Sequence, residues 1–201
     1  MRLVCLDLEG VLVPEIWIAF SQATGIPELQ RTTRDEPDYD KLMKFRLDIL
    51  AEKRLKLADI QKVISGMDPL PGAIEFAQSL RERTQLVILS DTFEQFAKPL
   101  MEKLSWPCLF CNTLVTSPDG ELTGYRLRQQ DGKRKAVIAF KSMGLQVFAA
   151  GDSHNDLTMI HEADSGCLFH APESIRKEYA SIPCADTYDE LFSRIDGFLR
   201  G

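Results

Sequence analysis

The sequence lacks any apolar run long enough to cross a membrane, and it lacks an excess of positive charge. Its longest hydrophobic stretches have the length of a β-strand, and its first residues do not show the charged-then-apolar pattern of a secretory signal. Lys and Arg number 24 against 30 Asp and Glu, which gives a net charge of −6. This balance argues against broad binding to nucleic acid or anionic membranes, because both favour basic surfaces. We therefore expect a cytoplasmic protein whose partners are small molecules.

Cysteines are few and odd in number, which argues against a disulfide framework. The five are Cys5, Cys108, Cys111, Cys167 and Cys184, and most lie within apolar runs. Cys108 and Cys111 form a C-x-x-C pattern, but "PCLFCNTLV" (107–115) is typical of a buried strand. The sequence has no second Cys or His pair at zinc spacing. We expect reduced, structural cysteines, because intracellular thiols stay reduced.

What the sequence does have is a regular alternation of strand-like and helix-like patterns. Apolar, strand-like runs occur at 3–6, 85–91, 108–115, 146–152 and 166–171, and helical patterns at 71–83, 93–104, 133–143, 154–163 and 187–199. This alternation predicts βαβ units, and therefore a Rossmann-like α/β fold with a mostly parallel sheet and helices on both faces. The Pro-Asp-Gly within 115–127 predicts a β-hairpin.

The alternation is interrupted directly after the first strand. Up to Pro69 the patterns indicate only helices, at about 14–24, 38–53 and 57–66, the second with an apolar stripe of Leu42, Phe45, Ile49 and Leu50. A βαβ crossover needs only one helix. We therefore predict a small helical cap domain, residues 14–68, over the carboxyl edge of an α/β core domain made of residues 1–13 and 69–201.

The first strand, "LVCLDLEGVLV" (3–13), ends in two carboxylates, Asp7 and Glu9. Four apolar residues precede them, which suits a strand buried on both faces of a parallel sheet. Open α/β sheets place their ligand sites at the carboxyl ends of their strands. The alternative is a turn of the Asp–Gly type after a buried strand, since short patterns of this kind match by chance.

Three more polar stretches follow a strand or begin a helix. They are "VILSDT" (87–92), "DGKRKAV" (131–137) and "FAAGDSHND" (148–156), and their candidate site residues are Ser90, Asp91, Lys133, Asp152, Asn155 and Asp156. The carboxylates among them can be helix N-caps instead, and the lysine part of a solvated face. However, a cation at a helix N-terminus is unfavourable unless anions lie near it.

Together these stretches contain the parts of a phosphoryl-transfer site. Carboxylates from two strand ends can bind Mg²⁺, while Ser90 and Lys133 can hold phosphate oxygens. With the phosphate charge neutralised, one carboxylate can attack phosphorus and form an aspartyl-phosphate. A second carboxylate can act as general acid and then as general base.

The order "DLEGV", "ILSDT", Lys133 and "GDSHND" resembles the four motifs of the haloacid dehalogenase superfamily, and the helical insertion resembles the cap of its phosphoserine phosphatase branch. The superfamily usually has Asp two residues after its nucleophile, where this sequence has Glu9. That Glu, with "LVPEIW" (12–17) and "GDSHND", resembles the bifunctional bacterial phosphoserine phosphatase/homoserine phosphotransferase enzymes.

The resemblance implies a role for each candidate residue. It implies that Asp7 is nucleophile and Mg²⁺ ligand, and that Glu9 is the acid/base and binds the metal through its backbone carbonyl. Asp152 would be a metal ligand and Asp156 would support the metal site. The residues implied to face the phosphate or the substrate are Ser90, Asp91, Lys133 and Asn155.

Two residues of the predicted cap are candidates for the rest of the substrate. A phosphorylated amino acid carries an ammonium and a carboxylate, which Glu15 and Arg46 can bind, and the resemblance points to the same pair. Each has a simpler interpretation: Glu15 as an acid in a first helical turn, and Arg46 as a residue on an exposed helix face.

The sequence therefore predicts a Mg²⁺-dependent phosphatase acting on L-phosphoserine, which can also pass the phosphoryl group to homoserine. Three alternatives stay open: a phospho-accepting signalling module, a phosphatase for another small phosphomonoester, and a catalytically silent binding protein. The cap and Glu9 count against the signalling module, and the intact set of polar motifs counts against the silent protein.

Overall fold

The computed structural model describes residues 1–32, 35–36 and 38–201, and in these ranges it forms one sheet with helices against it. The strands are β1 Arg2–Leu6, β2 Gln85–Phe93, β3 Cys108–Thr116, β4 Leu122–Arg126, β5 Gln146–Gly151, β6 Ser165–Phe169 and β7 Cys184–Ala185. The helices are α1 Ile16–Thr24, α2 Tyr39–Glu52, α3 Leu57–Ser65, α4 Ala73–Arg81, α5 Glu94–Lys103, α6 Gly132–Ser142, α7 Leu157–Glu162, α8 Glu173–Glu178 and α9 Tyr188–Arg200. Short 3-10 helices occupy Pro27–Gln30 and His154–Asp156.

The sheet has the order β4-β3-β2-β1-β5-β6-β7, with β1 near its centre. All pairs are parallel except β3 with β4, which form the predicted hairpin. The chain leaves β1 toward β2 on one side and later returns to β5 on the other. The two sides therefore diverge beside β1, and ligand sites of open α/β sheets lie at such a point. The predicted α/β fold is confirmed.

Alternate residues of β1 show that both faces of the sheet are covered. Val4 and Leu6 belong to one hydrophobic cluster, which also includes apolar residues of α4, α5 and α9. Leu3 and Cys5 belong to a second cluster, which includes residues of α6, α7 and α8. Because successive side chains of a strand point to opposite faces, the two clusters lie on opposite sides of the sheet.

The sequence patterns missed two short elements and misjudged one strand. Strand β7, two residues long, and helix α8 are too short to give a periodic signal. Strand β3 was expected to be buried, yet Cys108 is exposed and Cys111 is only half-buried. The strand lies next to the edge of the sheet, where less of it is covered. All five cysteines are free thiols.

The segment between β1 and α4 forms three α-helices, close to the predicted ranges. The buried face of α2 differs from the predicted stripe, because it consists of Leu42, Met43, Arg46 and Leu50. Apolar residues of α1, α2 and α3 join the same cluster as β1 and α5, so these helices pack directly on the α/β part. The cap limits of 14 and 68 stay a prediction. Within the described ranges, no helix is long and apolar enough to cross a membrane.

Candidate active site

A cavity of about 310 Å³ opens at the carboxyl edge of the sheet, beneath α1 and α2. Its floor comes from the ends of β1, β2 and β5 and from the first turn of α6, and its roof from α1 and α2. Every predicted site residue except Asp156 lines it: Asp7, Glu9, Glu15, Arg46, Ser90, Asp91, Lys133, Asp152 and Asn155.

Asp7 lies one residue beyond β1 and is held in line with it. Its backbone N–H donates to the carbonyl of Ala150 at 3.0 Å, which continues the pairing with β5. Its side-chain Oδ1 accepts from the N–H of Leu8 at 2.7 Å and lies 2.9 Å from Nζ of Lys133. Burial and the nearby charge of Asp156 raise the pKa of Asp7 well above its usual range, and Lys133 opposes this shift.

Lys133, in the first turn of α6, is buried among carboxylates. Its Nζ lies 2.7 Å from Oδ1 of Asp156, 2.9 Å from Asp7 and 3.8 Å from Asp91. Burial alone would lower the pKa of Lys133, but the carboxylates of Asp156, Asp7 and Asp91 raise it well above its usual value. The anions that a lysine at a helix N-terminus requires are therefore present, and the ammonium stays charged.

Asp156 is fully buried and held by a network of hydrogen bonds. Its Oδ2 accepts from the backbone N–H groups of Asp152 and Ser153 at 3.0 and 3.1 Å, while Oδ1 accepts from Lys133. A side chain at Gly151 would place its Cβ only 2.2 Å from the Asp156 carboxyl carbon, so only glycine permits this approach. Asp156 thereby fixes both the turn after β5 and the ammonium of Lys133.

Asp7, Asp152 and Asp156 form a cluster that fits a divalent cation. Ligand oxygens from the three carboxylates lie within 4.8 Å of one another. Burial and the charge of Asp156 raise the pKa of Asp152 to about 7. When all three carboxyl groups are ionised, the single ammonium of Lys133 leaves two negative charges uncompensated in a low-dielectric site. Clustered carboxylate oxygens are the donors that Mg²⁺ prefers.

The phosphate-facing candidates meet on the other side of Lys133. Ser90 is buried at the end of β2, and its hydroxyl accepts from the N–H of Thr92 at 3.2 Å. Asp91 is exposed, and its Oδ2 accepts from Nδ2 of Asn155 at 2.8 Å. Donors from β2, α6 and the turn after β5 thus border one cavity.

Glu9 lies where helix α1 meets the sheet. Its Oε2 accepts from the N–H of Ile16, the first residue of α1, at 2.8 Å. Burial and the charge of Glu15 raise the pKa of Glu9 to about 7, although hydrogen bonds from Ile16 and the Thr92 side chain act to lower it. A carboxyl with this pKa exchanges protons readily at neutral pH.

Arg46 is buried in the roof, so the interpretation of it as an exposed helix residue is wrong. Its guanidinium lies 4.5 Å above the ring of Trp17, and Nη2 donates to the carbonyl of Arg31 at 2.8 Å. Its Nε finds no hydrogen-bond partner among the described residues. Burial lowers the pKa of Arg46 to about 10, which still leaves it charged at neutral pH. Glu15 immediately precedes α1 and is exposed at the cavity wall.

Comparison with known proteins places this geometry in a family. A family model described as haloacid dehalogenase-like hydrolase matches residues 1–164. The chain belongs to the haloacid dehalogenase-like hydrolases. It is 58% identical over 191 residues to a phosphoserine phosphatase of Pseudomonas syringae pv. tomato, covering 95% of this chain and 81% of that one. The phosphoserine phosphatase ThrH of Pseudomonas aeruginosa is likewise 58% identical, with 95% of this chain and 93% of that one covered.

Solved structures agree on the fold of this hydrolase. A crystal structure of phosphoserine phosphatase in apo form has a TM-score of 0.76 at 24% identity, covering 93% of this chain and 94% of that one. A substrate-bound phosphoserine phosphatase complex has a TM-score of 0.77 at 22% identity, covering 97% of each chain. At these identities the likeness establishes the fold alone.

Among the site residues that sequence reasoning about this hydrolase missed are Trp17, Tyr39 and Asn112. Trp17 and Tyr39 line the cavity, and buried Asn112 donates from Nδ2 to the carbonyl of Asp91 at 3.0 Å. Two signals were available. Tyr39 lies seven residues before Arg46 and so on the same helix face, and Asn112 interrupts an apolar strand.

Proposed function

We propose that this hydrolase is a Mg²⁺-dependent phosphoserine phosphatase that works through an aspartyl-phosphate on Asp7. The observation that carries the proposal is the meeting of Asp7, Lys133 and Asp152 beside Glu9 in one cavity. The two relatives that are 58% identical are both named phosphoserine phosphatases, which supports the same substrate here.

The first step is attack by a carboxylate oxygen of Asp7 on phosphorus, with cleavage of the bond to the serine oxygen. The ammonium of Lys133, 2.9 Å from Asp7, compensates charge on the nucleophile and on the phosphoryl oxygens. The hydroxyl of Ser90 and the amide of Asn155 supply further donors at the cavity wall. Asp156 acts as a positioning residue, because it accepts a hydrogen bond from Lys133 and so fixes the position of the ammonium.

Glu9 is the proton carrier of the proposed reaction. With a pKa of about 7, it is partly protonated at neutral pH and can give its proton to the departing serine oxygen. In the second step the ionised Glu9 takes a proton from water as the water oxygen bonds to phosphorus. The bond between phosphorus and Asp7 then breaks, which releases phosphate and restores the carboxylate.

The metal proposed for this site is Mg²⁺, held by Asp7, Asp152 and the backbone carbonyl of Glu9, with Asp156 supporting it. When bound, it supplies the positive charge that lets an anionic phosphate enter a site already rich in carboxylates. The cluster of carboxylate oxygens within 4.8 Å supports this assignment.

The amino-acid part of the substrate is proposed to contact the helical cap, residues 14–68, above the core of residues 1–13 and 69–201. Arg46 reaches the cavity as a buried cation whose Nε is unsatisfied within the described part of the chain, so a substrate carboxylate would complete it. Glu15, exposed at the same cavity, suits the substrate ammonium. Together they favour phosphoserine over phosphomonoesters without both charges.

The test is release of phosphate from L-phosphoserine with Mg²⁺, repeated with excess EDTA and with Asp7→Asn. We expect turnover only for the unmodified protein with Mg²⁺, since an amide cannot form the acyl phosphate. Thermal melting of the variant checks that it is folded. Substantial activity in a folded Asp7→Asn protein would contradict the assignment of the nucleophile.

A second proposed activity is transfer of the phosphoryl group to homoserine. Supporting it are Glu9 in the position where the superfamily usually has Asp, and 58% identity to a relative named ThrH. Adding homoserine to the phosphoserine reaction should then yield phosphohomoserine at the expense of free phosphate. A phosphate yield unchanged by homoserine would exclude the transfer.

One of the three alternatives, a phospho-accepting signalling module, predicts a different observation. Its aspartyl-phosphate would persist after the phosphodonor is removed. We expect rapid hydrolysis instead, because Glu9 lies at the cavity with a pKa near 7 and can activate water. Trapping the phosphorylated protein in acid at successive times distinguishes the two.

A further inference from the structure

Two tyrosines join helix α2 to the sheet next to the phosphate-facing residues. The hydroxyl of Tyr39, the first residue of α2, donates to the backbone carbonyl of Asp91 at 3.3 Å. Its ring packs edge-on against that of Tyr125 on β4, with ring centroids 5.6 Å apart. The hydroxyl of Tyr125 donates to the carboxylate of Asp40, the second residue of α2.

The Tyr39 contact reaches the backbone that presents the phosphate-facing side chains. The carbonyl of Asp91 also accepts from Nδ2 of Asn112 at 3.0 Å, so one donor comes from α2 and one from the sheet. Ser90 immediately precedes this carbonyl. A displacement of Tyr39 therefore removes one of the two side-chain hydrogen bonds that the Asp91 carbonyl accepts.

The Tyr125 contact fixes the orientation of α2 itself. Tyr125 packs on Phe93 of β2, with centroids 6.1 Å apart, and is thus anchored to the sheet. Arg46 lies two helical turns beyond Tyr39 on the same face of α2. Since α2 is one rigid element, holding its first turn at Tyr39 and Asp40 also sets where the Arg46 guanidinium lies above the cavity.

We propose that Tyr125 and Tyr39 are positioning residues that fix α2 over the cavity and so determine selectivity for substrates with a carboxylate. Tyr125 acts through Asp40 on the placement of Arg46, while Tyr39 links α2 to the Ser90–Asp91 backbone. The inference rests on the proposed function, because its kinetic test requires a substrate that carries a carboxylate.

The kinetic test is Tyr125→Phe, which keeps the ring and removes the hydroxyl. For phosphoserine we expect KM to rise about three- to tenfold, the range for one lost hydrogen bond, with kcat changed less than about twofold. For phosphoethanolamine, which lacks the carboxylate, KM should stay within about twofold. Asp40→Ala should behave alike, and the double variant should be no worse than either single one, because both remove the same contact.

The matched control is Tyr179→Phe. The neighbouring carboxylate of Glu178 raises the pKa of the Tyr179 hydroxyl, and the rings that contact Tyr179 lie outside α1–α3. This variant should leave KM for both substrates unchanged. An equal effect of Tyr125→Phe on the two substrates, or an effect of the control as large as that of Tyr125→Phe, would overturn the proposal.

Hydrogen exchange provides a readout independent of turnover. Tyr125→Phe and Asp40→Ala should speed amide exchange in α2, residues 39–52, while α6 exchanges at the unmodified rate. Unchanged exchange in α2 would overturn the proposed positioning role. If the unmodified protein hydrolyses no phosphoserine, the proposed function fails, and the exchange comparison still decides whether the tyrosines hold α2.

Discussion

The substitution Gly10→Ala tests the metal assignment through the backbone rather than through a ligand. Gly10 has φ of +75°, and a Cβ there would lie 2.6 Å from the carboxyl carbon of Asp152 and 2.6 and 2.9 Å from its two oxygens. The alanine therefore costs the strain of a left-handed residue and also forces the Asp152 carboxylate to leave its present position. Gly25→Ala is the matched control, since Gly25 has φ of +69° and nothing within 4 Å of its Cβ position.

Both variants should lose stability, Gly10→Ala more than Gly25→Ala because of its clash with Asp152, and they should differ in their response to Mg²⁺. A left-handed alanine costs about 1–2 kcal/mol, partly offset by about 0.4–1 kcal/mol from the reduced entropy of the unfolded chain. For a chain of 201 residues, a net loss of about 1 kcal/mol lowers Tm by roughly 2–4 °C. Gly25→Ala should show this loss with and without Mg²⁺.

Mg²⁺ separates the variants because it binds only the folded site. At about 100 times its Kd, a ligand of the native state adds about 2.7 kcal/mol, which raises Tm by roughly 5–10 °C. We expect this rise in the unmodified protein and in Gly25→Ala, and a rise below about 2 °C in Gly10→Ala. Thermal melts with Mg²⁺ and with EDTA measure it. A full rise in Gly10→Ala would refute the reasoning that the position of Asp152 controls metal binding.

The remaining predictions use single side chains. Asp152→Asn should abolish the Mg²⁺-dependent rise in Tm, and an unchanged rise would exclude it as a ligand. Because burial raises the pKa of Asp152 from 3.8 to about 7, the metal-free fold binds protons more tightly than the unfolded chain. Its stability should therefore fall as the pH rises from about 4 to about 7. Urea melts in EDTA should show this fall, and Asp152→Asn should reduce it. Arg46→Ala should lower kcat/KM for phosphoserine about ten- to hundredfold, but little for phosphoethanolamine; equal losses would make Arg46 structural.

The fold was predictable because its patterns are local and repeated. Four apolar residues in a row before Asp7 suited a strand covered on both faces, and the structure buries all four. The alternation of strands and helices then predicted the parallel sheet. From the carboxyl-edge rule alone, residues as distant in sequence as Asp7, Ser90 and Asp152 could be assigned to one cavity, and they line one. The short elements β7 and α8 gave no periodicity to detect.

The roof of the cavity was less predictable, because the environment of a residue on α1 or α2 depends on tertiary packing. Hydrophobic periodicity assigned Phe45 and Ile49 to the buried face of α2, whereas the structure buries Arg46 there. A guanidinium contributes nothing to a hydrophobic pattern. Arg46 can nevertheless be buried, because its side chain has an aliphatic part and its guanidinium stacks on Trp17. The charges of a phosphorylated amino acid and the family resemblance both pointed to Arg46, but neither showed the Trp17 ring beneath it.

Two features of the site are unfavourable in the free protein: crowded carboxylates on one wall and a buried arginine on the other. A metal ion and a substrate carboxylate bound together would relieve both. Asp7, Asp152 and Asp156 are crowded enough that burial and mutual repulsion raise the pKa of Asp7 and Asp152, which opposes folding at neutral pH. Arg46, on the opposite wall, is a buried cation with an unsatisfied Nε among the described residues. A dication at the floor and a carboxylate at the roof would relieve both, and a phosphorylated amino acid is a small molecule that brings an anionic group to each. Each wall of the cavity lacks an opposite charge in the free protein. The charges at both ends of a phosphomonoester, and not only its shape, should therefore control whether this enzyme accepts it.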